Sequence, residues 1–88
     1  MPWHLYMVRC GDGSLYTGIA TDVDKRVAAH AAGRGAKYTR GRGPITLAYL
    51  EACGDRGLAA AREHAVKRLS RTEKEVLSQQ WLRTFSPS

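Results

Sequence analysis

Acidic residues are missing from one long stretch: between Lys25 and Leu50 there is neither aspartate nor glutamate. Six cations fall in that stretch, Lys25, Arg26, Arg34, Lys37, Arg40 and Arg42. The formal net charge is +6, and the other eight Lys and Arg match the eight Asp and Glu, so the whole excess sits there. Positive charge concentrated in this way suits a polyanionic partner. Cysteine is scarce as well. Cys10 and Cys53 can form one disulfide at most, which excludes a disulfide-stapled scaffold; with no secretory leader the expected setting is a reducing cytoplasm. No apolar run approaches the roughly 18 residues that a bilayer-spanning helix needs. Repeats, linkers and low-complexity tracts are absent too. The 88 residues therefore read as one domain over 1–85, with a loose tail at 86–88.

What is present begins with two short runs of strand-forming residues, His4–Arg9 and Leu15–Ala20. Cys10-Gly11-Asp12-Gly13-Ser14 between them is a cluster of turn formers, so the runs fold back as an antiparallel hairpin. Each run carries one tyrosine, Tyr6 and Tyr16, similarly placed, and both can project from the sheet into one site. Taken alone, they are ordinary strand tyrosines.

A helix is expected near 22–33, opened by Thr21 as N-cap with Asp24 completing a capping box. Val23, Val27 and Ala31 form its buried stripe, and Arg26 and His30 lie four apart on a neighbouring face. An Arg and a His on a helix surface are most often only solvated. The next segment, Gly33 to Pro44, has four glycines and a proline to hold off regular structure. Its cations Arg34, Lys37, Arg40 and Arg42, with the stacking face of Tyr38, suit a phosphate backbone.

Residues 45–53 read as a third strand, in which Tyr49 belongs to the core or the sheet surface. Gly54-Asp55-Arg56-Gly57 turns the chain into a helix near 57–69, with Leu58, Ala61, Ala65 and Leu69 as its apolar stripe. Glu63 is the one acid of that helix and projects beside the arc of Ala59 and Val66. Its plain reading is an i,i+4 pair with Lys67. Two overlapping capping boxes, Ser70/Glu73 and Thr72/Glu75, start a last helix near 72–84, docked through Val76, Leu77, Trp81 and Phe85. The expected architecture is α+β, a small three-stranded, mainly antiparallel sheet flanked by about three helices. The first strand is its centre, since it carries no proline or internal glycine.

Tyr6, then Tyr16-Thr17-Gly18, then Asp24-Lys25-Arg26 and His30, in that order, resemble the GIY-YIG nuclease family. In that family the first half-motif ends in tyrosine and the second reads Tyr-x-Gly. An arginine follows on a helix, with a His or Tyr four residues later, and a metal-binding glutamate sits on a later helix. The resemblance covers about residues 3–70. Gly35-Ala36-Lys37-Tyr38-Thr39-Arg40 is similar to the loop of the small stand-alone bacterial members and of the nuclease subunit that cuts branched DNA. Three positions depart from the pattern. There is no asparagine to match one found late in many members, Ile19 stands where the excision-repair members carry lysine, and His4 replaces the first glycine of the name motif.

The resemblance implies a divalent-metal-dependent endonuclease that hydrolyses DNA phosphodiesters, on duplex, branched or damaged DNA, with RNA less favoured. Tyr6, Tyr16, Arg26, His30 and Glu63 are then its catalytic set, and Glu63 holds Mg2+ or Mn2+. One tyrosine, with Tyr6 preferred, is general base or proton relay, and nearby cations are expected to lower its pKa from about 10. Lys25, Arg34, Lys37, Tyr38, Arg40 and Arg42 bind the nucleic acid. With no room for an appended targeting domain, specificity falls to the loop, to substrate shape or to a partner protein. No membrane is expected, and the chain is expected as a nucleoid-associated monomer or weak dimer. The alternative is a nucleic-acid-binding module on the same fold with weak or no nuclease activity.

Overall fold

A computed structural model describes residues 2–85, Phe85 by its backbone alone. The expected tail at 86–88 and the docking of the Phe85 side chain lie outside the described residues. The order is β1 (Trp3–Arg9), β2 (Leu15–Ala20), α1 (Val23–Ala31), a single 3-10 turn at Lys37–Thr39, β3 (Thr46–Gly54), α2 (Arg56–Lys67) and α3 (Arg71–Phe85). The sheet runs β2-β1-β3 with both pairings antiparallel, so the architecture is α+β with β1 at its centre.

Leu5, Tyr6, Met7 and Val8 of β1 are all at most 1% exposed. Successive strand residues point to opposite faces, so both faces of the sheet are covered. On one face Leu5 and Met7 meet Val66 of α2, with Leu15, Ile19, Tyr49, Leu69 and Leu77 around them. On the other, Tyr6 and Val8 meet Val23 of α1, with Tyr16, Val27, Ile45 and Leu47 alongside. The register pairs Tyr6 with Gly18 and Val8 with Tyr16. Residues opposite one another in a ladder share a face, so the two tyrosines stand on the same side of the sheet.

Several helix details differ from the sequence reading. Asp22, not Thr21, caps α1, its carboxylate accepting from the Lys25 N–H at 3.1 Å. Val23 and Val27 do pack inward, but the third inward position is His30, 2% exposed, and Ala31 faces solvent. On α2 the inward residues are Ala59 and Val66, and Leu69 just past its end packs inward as expected, while Leu58 is 61% exposed and Ala61 and Ala65 are exposed too. Alanines gain little by burial, so Val66 docking into the sheet sets the helix's rotation. At α3, Ser70 and Glu73 form the reciprocal capping box, with bonds of 3.1 and 3.0 Å. Glu75 is not a cap. It takes the Arg9 guanidinium in a two-pronged ion pair that ties α3 to the hairpin. Leu77 joins the core, whereas Val76 is 46% exposed. The buried Ser78 hydroxyl donates to the Ala48 carbonyl at 2.8 Å, at the register shift where Met7 pairs with Tyr49 and Val8 with Leu47.

Candidate active site

Tyr6 lies across its neighbour strand rather than beside it. A Cβ added to Gly18 would stand 2.5 Å from the Tyr6 hydroxyl oxygen and 2.7 Å from ring carbon Cζ. The absence of a side chain at Gly18 is therefore what lets the Tyr6 ring cross β2. That is a physical reason for a Tyr-x-Gly segment opposite a tyrosine-bearing strand.

From there a chain of polar contacts runs into the loop. The Tyr6 hydroxyl is 2.9 Å from His30 Nε2, and His30 Nδ1 is 2.8 Å from the Thr39 hydroxyl. Thr39 bonds the Ala36 carbonyl at 2.9 Å. The Ala36 N–H also donates towards Nδ1, 3.3 Å away, so that nitrogen meets both the Thr39 hydroxyl and a backbone donor. With the ring proton on Nδ1, Nε2 accepts from the Tyr6 O–H; with it on Nε2, the tyrosine oxygen accepts. Gly35 permits the arrangement, because a Cβ there would overlap the His30 imidazole.

An aromatic column rises from this buried point to the surface. Tyr16 lies against His30 at 5.2 Å between centroids, and Tyr38 stacks on Tyr16 at 5.8 Å and 25°. The Arg42 guanidinium sits 4.4 Å from the Tyr38 centroid and is ion-paired with Asp12. Ser14 hydrogen bonds and Arg42 hold the Asp12 carboxyl at about 2.

Arg26 and Glu63 converge electrostatically on the same hydroxyl. Burial pushes the Tyr6 phenol above its ordinary value and the Tyr16 charge adds to this; Arg26 opposes them by hydrogen bonding and charge, and Glu63 raises it again. The expectation of a phenol lowered by cations is thus corrected: one guanidinium does not offset the loss of solvent. Burial, followed by the Arg26 charge, pushes His30 below the usual histidine range, so its imidazole is neutral near pH 7. Glu63 is half-buried and its carboxylate lies 3.4 Å from Lys67 Nζ, so the expected i,i+4 pair is present.

Among the described residues no three His, Cys, Asp or Glu side chains gather as a metal cage. Glu63 offers one carboxylate, paired with Lys67. That fits Mg2+, which keeps several waters and binds through one or two carboxylates plus substrate phosphate.

The structure thus sets His30 on the Tyr6 hydroxyl, Tyr16 against His30 and Tyr38 on Tyr16, with Arg26 and Glu63 within electrostatic reach of the phenol. Arg34, Lys37 and Arg40 are exposed along the loop, and Lys25 is exposed on α1. Sequence reasoning gave no role to Gly18, Gly35 or Thr39 in shaping the site, although all three fall inside segments singled out for their wording.

A family model described as the GIY-YIG catalytic domain matches residues 2–76. This chain belongs to the GIY-YIG family. Within it, the chain is similar to small UPF0213 proteins. One from Serratia liquefaciens is 55% identical over 76 residues, covering 86% of this chain and 74% of that protein. Another, from Halobacterium salinarum, is 53% identical over 74 residues, 84% of this chain and 96% of the other. The solution NMR structure of a UPF0213 protein from Bacillus halodurans is 49% identical and aligns with a TM-score of 0.58, over 91% of this chain and 85% of that one. A second NMR structure, of an E. faecalis protein, gives 37% identity and a TM-score of 0.60, over 97% of this chain and 86% of the other. The GIY-YIG domain is that of a nuclease family, so the substrate class is nucleic acid. The UPF0213 designation states no activity.

Proposed function

We propose that this GIY-YIG protein is a divalent-metal-dependent endonuclease acting on DNA, with branched or damaged duplexes as the favoured forms. The observation that carries the reading is the Tyr6 hydroxyl, 2.9 Å from His30 Nε2, with Arg26 and Glu63 acting on it; the relay uses the tautomer with the ring proton on Nδ1. A water attacks the phosphorus and passes its proton to the Tyr6 oxygen as Tyr6 gives its own proton to His30. Because the relay ends on a neutral imidazole, no free phenolate is needed, and the raised pKa of Tyr6 is compatible with the role. Arg26, exposed at the rim, takes the charge that develops on the phosphoryl oxygens. The bond from phosphorus to the 3′ oxygen breaks and that oxygen takes a proton from solvent water, leaving a 3′-hydroxyl and a 5′-phosphate. Glu63 would hold Mg2+ or Mn2+, which when bound supplies Lewis-acid stabilisation of that departing oxygen. Tyr16 packs its ring at a tilt against His30 and positions it. Arg34, Lys37, Arg40 and Tyr38 carry the flanking strand, with Lys25 on the opposite side of Arg26.

The second reading, a nucleic-acid-binding module without cleavage, draws on the Glu63–Lys67 pair, which occupies the carboxylate that a metal would need. Purified protein assayed on flapped, forked, four-way and plain duplex DNA with Mg2+ or Mn2+ separates the two. Metal-dependent cleavage that is lost in Tyr6→Phe and His30→Ala supports the nuclease. Tight binding with no product in any metal leaves the binding module.

A further inference from the structure

Beside Arg26, on the flank away from the Tyr38 column, a cleft of about 330 Å³ opens between the start of β1, the end of β2 and α1. Trp3, Ile19, Ala20 and Ala29 make an apolar wall, Lys25 and Arg26 bring two cations to it, and Thr21 and the helix-capping Asp22 complete the lining. The nuclease reading uses Arg26 and Lys25 for phosphate, but a phosphodiester gives no reason for an aromatic and aliphatic wall. The volume is at the small end of the roughly 300–1,000 Å³ of ligand clefts, room for one ring system and not for a stacked pair. Arg56 lies over the Trp3 ring at 5.7 Å and is not part of the cleft wall, so it steadies the indole without filling the space.

We propose that this cleft receives a single unstacked nucleobase next to the phosphate held by Arg26, so that the favoured substrate is DNA with an unpaired nucleotide at the point of cleavage. The proposal rests on the nuclease reading and narrows its substrate. An aromatic wall meeting two cations is the combination that single-strand binders use, in which rings stack on bases and cations track the backbone. A base inside an intact duplex cannot enter the cleft without unpairing and unstacking, which costs a few kcal/mol and costs least where the nucleotide is already unpaired.

The test uses full-length protein without divalent metal and three DNAs of one sequence. One is fully paired, one has a single unpaired nucleotide, and one has an abasic site at that nucleotide. Wild-type protein should bind the unpaired-base DNA about tenfold more tightly than the abasic DNA, about 1.4 kcal/mol. Trp3→Leu and Ala29→Leu, one stripping the wall and one filling the space, should each remove that difference. Two variants are used because Trp3 also packs against Arg56 and its loss risks misfolding. Equal affinity for base and abasic DNA in the wild type overturns the cleft assignment and leaves the nuclease reading standing, as does a difference that survives Ala29→Leu. No binding to any of the three DNAs overturns both.

Discussion

Tyr6 and His30 share one proton, so at the residue scale their losses should not add. Tyr6→Phe and His30→Ala should each slow cleavage by about 10²–10⁴-fold, and the double variant should be little worse than either. Independent roles would instead make the two effects multiply. Tyr6→Phe should also lower stability by about 1–3 kcal/mol, because it leaves the buried Nε2 without its hydrogen-bond partner. Glu63→Gln tests the metal assignment. Removing the carboxylate charge should cut the cleavage rate by several orders of magnitude, since metal stabilisation is worth several kcal/mol, while DNA affinity holds or rises. If Glu63 serves only its pair with Lys67, the same substitution costs at most about 0.5 kcal/mol in a melting experiment and cleavage is unchanged.

At the scale of elements, the loop and α2 carry the next expectations. Arg34, Lys37 and Arg40 are exposed, so replacing all three with Ala should flatten the salt dependence of DNA binding by about 2.7, at about 0.9 for each lost phosphate contact. Adding Arg42→Ala should change the slope less than any of these, because Arg42 already pairs with Asp12 and covers Tyr38. An equal further drop would show that Arg42 leaves Asp12 to meet phosphate. The rotation of α2 can be read from two truncations. Val66→Ala should cost about 2 kcal/mol or more, from two lost methyl groups and the cavity left behind. Leu58→Ala, at 61% exposure, should stay within about 0.5 kcal/mol. Chemical denaturation of the two proteins side by side gives both numbers.

For the whole molecule, acid sensitivity follows from His30. An unfolded histidine titrates near 6.5, and the folded His30 lies lower because of its burial and the Arg26 charge. The unfolded chain therefore binds the proton first. The His30 contribution to stability is full above about pH 6.5 and is lost as the pH falls from there through the folded value. His30→Gln should flatten that part of the stability-versus-pH curve. A melting series from pH 7.5 to pH 5 showing the same slope for both proteins would refute the assignment. The acid limb of the cleavage profile should likewise lie below pH 6.5, since the relay needs His30 neutral.

The sheet and the order of its helices were legible from the chain alone, because runs of strand-forming residues, a Gly-Asp-Gly turn and side-chain caps are local signals. The same is true of the tyrosine pair: with a turn at residues 10–14, antiparallel pairing makes Tyr6 and Tyr16 share a face whenever the register is that of Tyr6 with Gly18. The concentration of charge between Lys25 and Leu50 likewise needed no coordinates. What tertiary structure decided was which side of each helix turns inward. Alanine-rich turns such as Ala59-Ala60-Ala61 gain little by burial on any side, so the choice fell to Val66 against the sheet, and to His30 against Tyr6. The sign of the Tyr6 shift belongs there too. Cations near in sequence suggest a lowered pKa, but burial depends on the ring crossing Gly18, and desolvation outweighs one guanidinium. The Tyr6–His30 contact was the least legible feature. It depends on the loop folding back so that Thr39, nine residues on, meets the other ring nitrogen, which no spacing records.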